Sequence, residues 1–534
     1  MPRLSRRHFL ALSSAMALTP AVAGADAPPA GRRGGTVIVA FGAGTPRHLN
    51  PAVQSGVATA VPGTQIFASP LRYDAEWTPH PYLAKSWKLA DDGLSVTLDL
   101  VDNAVFHDGQ PVTSADVAYS ILAIKKDHPF KDMFAPVDSV ETPDPHTAVI
   151  RLAHRHPAIL LALSPALCPI LPKHYFDDGT DLKINPKNST PIGSGPFKLA
   201  EFTPSDHITL ERFDKFFLPD RPYLDRIILQ IISDQTALLV GMEQRQTHVQ
   251  FFASEPRDID RLAKQPHLAV TDEGYAGIGP LNWLEFNLTK KPLDDKRVRQ
   301  AIAYAFDRKF VTDKLLLGRG RPATGPIHPD SPFYTADVEH YALDLDKANQ
   351  LLDEAGLQRN GDGTRFALTV DYIPGPSVKQ KGVAEYLRPQ LKKVGIEVQV
   401  RASPDFPTWA QRVSSWDFDM SMDVVFNWGD PVIGVDRTYL SNNIRKGVIW
   451  SNTQNYRNPK VDQLLEAAAS EIDPAKRKAL YTEFQKIVVD DAPIAYVNVV
   501  PFYTVYDRGL GNIPTSIWGS MSAMEELYWE TPPA

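Results

Sequence analysis

Several places in this 534-residue chain put imidazole, carboxylate, hydroxyl or amide groups close enough together to suggest chemistry. His107-Asp108-Gly109 sets an imidazole beside a carboxylate, the pairing a general base uses, although Asp108-Gly109 is also sufficient as a turn. His154 and His156 are two residues apart, so on a strand they share a face and can be imagined around a metal ion. No carboxylate lies near them in sequence, and Arg151 and Arg155 add repelling charge. Gly193-Ser194-Gly195 lacks the Gly-x-Ser-x-Gly spacing of an esterase nucleophile. Gly42-Ala43-Gly44 follows the apolar run 36–41 as a dinucleotide fingerprint begins, but the third glycine is missing and Pro46 and Pro51 block a helix there. Cys168 is the one cysteine, which excludes an intramolecular disulfide and any multi-thiolate metal cluster. Asn427-Trp428-Gly429-Asp430-Pro431 is the stretch richest in recognition groups. It offers an amide that donates and accepts, a flat apolar wall and a carboxylate, although Gly429-Asp430-Pro431 is also a turn signal.

The elements that would hold these groups read as an alternation of strands and helices. Residues 36–41 form a buried strand, and Leu94, Val96, Leu98 and Leu100 alternate as a half-buried one. Thr113-Ser114-Ala115-Asp116 has the form of a capping box opening a helix through Val117, Ile121 and Leu122. Strands are expected at 148–152, 197–202, 207–212 and 226–232. The turn-rich stretch 191–197 is a candidate crossing between lobes. From about 281 longer helices take over. One is capped by Asp294 or Asp295 and one by Asp346, a third carries Val383, Leu387, Leu391 and Val394, and one begins at Asp473-Pro474. Strands at 396–400, 418–426 and 494–500 complete an α/β pattern. The sequence shows no internal repeat and no low-complexity segment.

Composition narrows the function classes. Hydrophobic residues make up 43% and charged residues 22%, ordinary for a globular protein, and the formal charge of -7 argues against a nucleic-acid binder working through a broad basic surface. Residues 3–25 read as an export signal: Arg6-Arg7 precedes a 14-residue apolar stretch too short and too polar to span a bilayer. Ala21-Val22-Ala23 and Ala23-Gly24-Ala25 offer small-x-small cleavage patterns. The arginine pair suits a twin-arginine signal, with an ordinary secretory signal as the alternative. No cysteine follows it, so a lipid anchor there is not expected. Removing residues 1–25 takes Arg3, Arg6 and Arg7 from the charge of -7 and leaves -10. A soluble exported protein, periplasmic and monomeric, is expected.

Six segments in register carry a resemblance. They are Thr45-Pro46-Arg47-His48-Leu49-Asn50-Pro51; Pro81-Tyr82-Leu83-Ala84-Lys85-Ser86-Trp87 with Asp91-Asp92-Gly93; Val105-Phe106-His107-Asp108-Gly109-Gln110-Pro111 with Ser114-Ala115-Asp116-Val117; Gly193-Ser194-Gly195-Pro196-Phe197; the run from Arg297 to Arg308; and the run from Lys347 to Gly356. Together they make the chain similar to the extracytoplasmic solute-binding proteins of the dipeptide/oligopeptide (family 5) ABC importers. The resemblance implies an α/β, two-lobed periplasmic-binding-protein (Venus flytrap) fold with an additional α+β subdomain inserted in the N-terminal lobe. Lobe I would comprise 34–70, 189–278 and 498–534, the inserted subdomain 71–188 and lobe II 279–497. It implies a peptide or small polar solute gripped between the lobes and delivered to a permease of two membrane subunits with two ATPases, with no cofactor, no metal and no catalysis. An exported hydrolase or cofactor enzyme, which a twin-arginine signal would also suit, is the alternative. A binding lobe serving a sensor or chaperone is a third reading.

In this family the stretch equivalent to Asn427, Trp428 and Asp430 lines the cleft. Arg47, His48, Phe67, Trp283, Tyr372 and Trp518 are further cleft positions on this reading. The chain departs from peptide-binding relatives in two places. Asn427 stands where they carry the acid that holds a peptide ammonium, and Tyr372-Ile373-Pro374-Gly375-Pro376-Ser377 lacks the arginine that holds a peptide carboxylate. A charged terminus buried without a partner is costly. The expected solute is therefore a peptide held mainly through its backbone, or a different small polar molecule.

Overall fold

The structure is a computed structural model, and it describes residues 33–374 and 380–532. The export-signal region 1–25 and Gly375-Pro376-Ser377 lie outside the described residues.

Three sheets organise the chain. Strand Thr36–Phe41 sits in the middle of a seven-stranded sheet, parallel to Arg226–Ile231 on one side and to Val249–Ala253 on the other. His207–Arg212 and Phe197–Thr203 extend it at one end, and Tyr503–Asp507 and Leu268–Thr271 at the other. Val37 and Val39 are buried on one face, the alternation seen in the sequence. A four-stranded antiparallel sheet, Ala84–Leu89, Ser95–Leu100, Thr147–Leu152 and Val137–Asp144, is built from the segment between the first two strands of that sheet. Helix Ser114–Asp127 covers it. Its capping box is formed as the spacing predicts, with the Asp116 carboxylate accepting the Thr113 N–H at 2.8 Å.

The second lobe is a six-stranded sheet ordered Arg321–Pro322, Ile494–Val499, Pro280–Phe286, Met420–Phe426, Phe366–Tyr372 and Ile396–Arg401. Phe366–Tyr372 runs parallel to both neighbours, and helix Gln380–Lys392 lies between it and Ile396–Arg401 in the chain. The helices here begin where short polar side chains take up free N–H groups: Asp295 for Lys296–Ala305, Asn458 for Pro459–Ala468 and Asp473 for Pro474–Asp491. Each such cap is worth about 1 kcal/mol. For Leu345–Glu354 the cap is Asp344, which accepts the Lys347 N–H at 2.8 Å; Asp346, the residue expected there, lies in the first turn.

The chain passes between lobes twice, from Thr271 to Pro280 and from Val499 to Tyr503. The 191–197 stretch is not a crossing between the two lobes. Gly195 donates its N–H to the Ile66 carbonyl at 2.8 Å, and a Cβ on Gly193 would lie 2.0 Å from that oxygen, so this turn packs against the end of helix Val57–Ile66. Two large apolar clusters follow the lobes. One joins the seven-stranded sheet to the four-stranded subdomain; the other fills the second lobe. Trp428 and Ile433, residues of the second lobe just past strand Met420–Phe426, belong to the first lobe's cluster.

Candidate functional site

In open α/β sheets, ligands bind beyond the carboxyl ends of the parallel strands. In the second lobe Phe366–Tyr372, Ile396–Arg401 and Met420–Phe426 all end on the side where Pro280–Phe286 begins. In the first lobe Thr36–Phe41, Arg226–Ile231 and Val249–Ala253 end beside Tyr503, where the chain arrives from the second lobe. Both sets of strand ends therefore face the inter-lobe crossing.

The turn 427–430 leaves the end of Met420–Phe426 into this gap. Its groups are already committed. Asn427 accepts the His328 N–H at 2.6 Å through its side-chain oxygen and donates its amide nitrogen to the Pro326 carbonyl at 3.2 Å. Asp430 caps helix Pro431–Gly434, and each of its carboxylate oxygens takes a guanidinium nitrogen of Arg477 at 2.6 Å. Both side chains of that pair are almost wholly buried, at 7% and 5% exposure. Burial works against the charge of Arg477, and the Asp430 carboxylate outweighs it, holding the guanidinium above its ordinary range. The amide and carboxylate expected to meet a solute thus hold the turn itself in place.

Trp428 has the role that remains. With φ of 50° it stands in the left-handed region, and its N–H reaches the Ile278 carbonyl at 3.3 Å. Its ring lies 5.0 Å from Phe130 of the inserted subdomain, 6.4 Å from Trp518 of the first lobe and 6.0 Å from Phe426 of its own strand. It bridges the lobes. Gly429 makes the approach possible, since it has a φ of 81° and a Cβ there would fall 2.6 Å from Leu161 Cδ2. We expect Gly429→Ala to weaken solute binding at least ten-fold while the second lobe stays folded, as read by titration calorimetry alongside circular dichroism.

A second aromatic group continues the wall: Phe252, Tyr275 and Phe502 stand 5.2–5.7 Å apart, and Phe502 lies 6.4 Å from Phe426. On the second lobe, half-buried Trp450 and exposed Phe406 stand 5.7 Å apart. Asp371 pairs with Arg401 and Arg412, both at 2.8 Å, which ties helix Phe406–Ser414 to the strand ends.

The remaining expected cleft residues, apart from Arg47, are buried. Phe67 is buried in the first lobe's core, 6.4 Å from Phe176. Trp283 is buried within the second sheet, opposite Asp423 and Tyr496. Tyr372 belongs to the second lobe's core. Trp518 is fully buried behind Trp428. Arg47 is exposed after the first strand, while His48 is buried, accepts the Asn50 N–H at 3.3 Å through Nδ1, and is pushed down to about 4 by burial and by Arg47. The pairs first singled out for chemistry also separate. His107 bonds the Gly195 carbonyl, whereas Asp108 pairs with His174 at 2.7 Å. His154 and His156 follow strand Thr147–Leu152 instead of lying on it; His156 bonds the Met133 carbonyl and His154 that of Arg155. Among the described residues no group of three or more His, Cys, Asp or Glu side chains is placed to hold a metal ion.

Two acids lie buried under the second lobe's sheet. Burial raises Asp423 to about 7, and burial, reinforced by Asp423, raises Glu285 to about 8 against the hydrogen bond from Thr453 at 2.5 Å. Folded Glu285 keeps a proton that the unfolded chain releases above its ordinary pKa, so its cost to stability is absent near pH 4 and grows toward pH 8. We expect Glu285→Gln to match the parent in urea unfolding at pH 4 and to exceed it by roughly 2–4 kcal/mol at pH 8.

Comparison with known proteins agrees with this architecture. The family model described as bacterial extracellular solute-binding proteins, family 5 Middle, matches residues 78–447. The chain is 29% identical over 463 residues to protein XP55 of Streptomyces lividans, covering 83% of this chain and 81% of the relative. It is 27% identical over 489 residues to the oligopeptide-binding protein AppA of Bacillus subtilis, covering 87% and 86%. The crystal structure of NikZ from Campylobacter jejuni in complex with Ni(L-His) superposes with a TM-score of 0.80 at 25% identity, covering 91% of this chain and 97% of that one.

Proposed function

Because this chain belongs to the bacterial extracellular solute-binding proteins of family 5, the binding components of ABC importers, we propose that its solute lies in the gap between the two sets of strand ends. Trp428 closes over that solute. The observation that carries this reading is the burial of Trp428, a second-lobe residue, in the first lobe's apolar cluster. Such a contact forms only when the lobes are together, so a solute touching both lobes and the Trp428 clasp favour the same state. Lobe I (34–70, 189–278 and 498–534) moves with the inserted subdomain 71–188 as one half, and lobe II (279–497) as the other.

The solute is a peptide or another small polar molecule. The relatives' names span that range, an oligopeptide for one and a nickel–histidine complex for another. The protein works in the periplasm after a twin-arginine signal is removed. It hands its cargo unchanged to a permease of two membrane subunits with two ATPases. Among the described residues no helix is long and apolar enough to cross a membrane. Native mass spectrometry of the mature protein tests the reading. A single small molecule should co-purify and leave chemically intact on mild denaturation; a cargo converted to product during incubation overturns it.

A further inference from the structure

Arg437 lies in the short helix Asp436–Tyr439, just past the Trp428 turn. Its guanidinium carbon sits 4.9 Å from the centre of the Phe130 ring, so this second-lobe cation stacks on the same subdomain aromatic that Trp428 meets. Nε donates to the Gly434 carbonyl at 3.2 Å. Among the described residues, Nη1 and Nη2 have no hydrogen-bond partner and no carboxylate within 4 Å. Every other arginine of residues 279–497 that is buried or half-buried gives at least one terminal nitrogen to a protein oxygen. Arg477 gives both to Asp430, Arg412 one to Asp371, and Arg308 both to main-chain carbonyls.

A half-buried guanidinium left unpaired is costly, and a cation held over an aromatic ring leaves its terminal N–H groups free for another partner. Two parallel N–H groups match the two oxygens of a carboxylate. Asp423 acts on Arg437 only through space, and burial raises Asp423 to about 7, so near neutral pH it supplies less than a full counter-charge. Arg437 itself, lowered by burial to about 10, stays protonated there.

We propose that Arg437 is the anion anchor of the cleft: the solute carries a carboxylate that the two free terminal nitrogens grip, with Phe130 as the backing plate. The inference rests on the inter-lobe binding reading and adds the solute's charge to it.

Titration calorimetry on the full mature protein decides it, using matched pairs: trialanine and trialanine amide for a peptide carboxylate, succinate and succinamide for a small-molecule one. An acid is expected to bind about 100-fold more tightly than its amide. Arg437→Gln should erase that preference, and Arg437→Lys should keep part of it, both with unchanged melting temperature. Whichever pair shows the preference identifies the source of the carboxylate. If Arg437 is only a clasp on Phe130, acid and amide lose affinity equally, which overturns the proposal, as does undiminished acid binding by Arg437→Gln. Should an uncharged solute close the lobes while no acid in the panel binds at millimolar concentration, the anchor fails and the binding reading stands. If nothing tried closes the lobes, both fail.

Discussion

Trp428→Ala is expected to leave the thermal unfolding of solute-free protein nearly unchanged and to weaken solute binding by two to three orders of magnitude. The argument is one of state. Truncating a buried tryptophan costs about 3–5 kcal/mol in a packed core. Trp428 is 5% exposed, and Phe130 and Trp518, both from the opposite half, stand against its ring. That cost therefore falls on the closed state and not on the folding of either lobe. Converted to affinity it amounts to roughly a hundred- to a thousand-fold. Calorimetry with the co-purified solute checks the loss, and a melting scan without solute checks that the lobes still fold. Phe130→Ala should act in the same direction and more weakly.

The opposite pattern is expected at Arg477. Arg477→Met leaves the Asp430 carboxylate buried and without its two hydrogen bonds of 2.6 Å, and breaking a buried pair from one side costs about 3–5 kcal/mol. Stability of the second lobe should fall by that amount in urea unfolding, solute or no solute. Pairing it with Asp430→Asn should recover much of the loss, since the lone charge is gone. Arg477 also donates to the Ala468 carbonyl at 2.9 Å and stacks 4.7 Å from Phe333, so recovery is partial.

These two residues show what a sequence can and cannot disclose. The cap at Asp473 is legible because a cap and its target N–H are neighbours in the chain, and of Asp294 and Asp295, both open in the sequence, the backbone selects Asp295. For Leu345–Glu354 the sequence points to Asp346, and the backbone geometry instead selects Asp344 two residues earlier. Asn427, Trp428 and Asp430 stood out by chemical type, but their partners are remote. Phe130 is nearly three hundred residues before Trp428, and Arg477 lies on helix Pro474–Asp491, where its spacing looks like that of any surface arginine. Phe67, Trp283 and Tyr372 illustrate the same limit from the other side. An aromatic in an apolar stretch reads alike whether it faces a cleft or a core, and which it faces depends on how the elements pack. Arg437 carries no motif. Its distinction is a lack of partners, a property that exists only once the chain is folded.

The central claim is that two halves close on a solute through the Trp428 contact. Small-angle scattering of the mature protein, stripped of solute and then saturated with the molecule that co-purifies, tests it most directly. The radius of gyration should contract on addition, and Trp428→Ala should need a far higher concentration to contract. Superimposable curves with and without a solute that calorimetry shows to be bound would contradict the account.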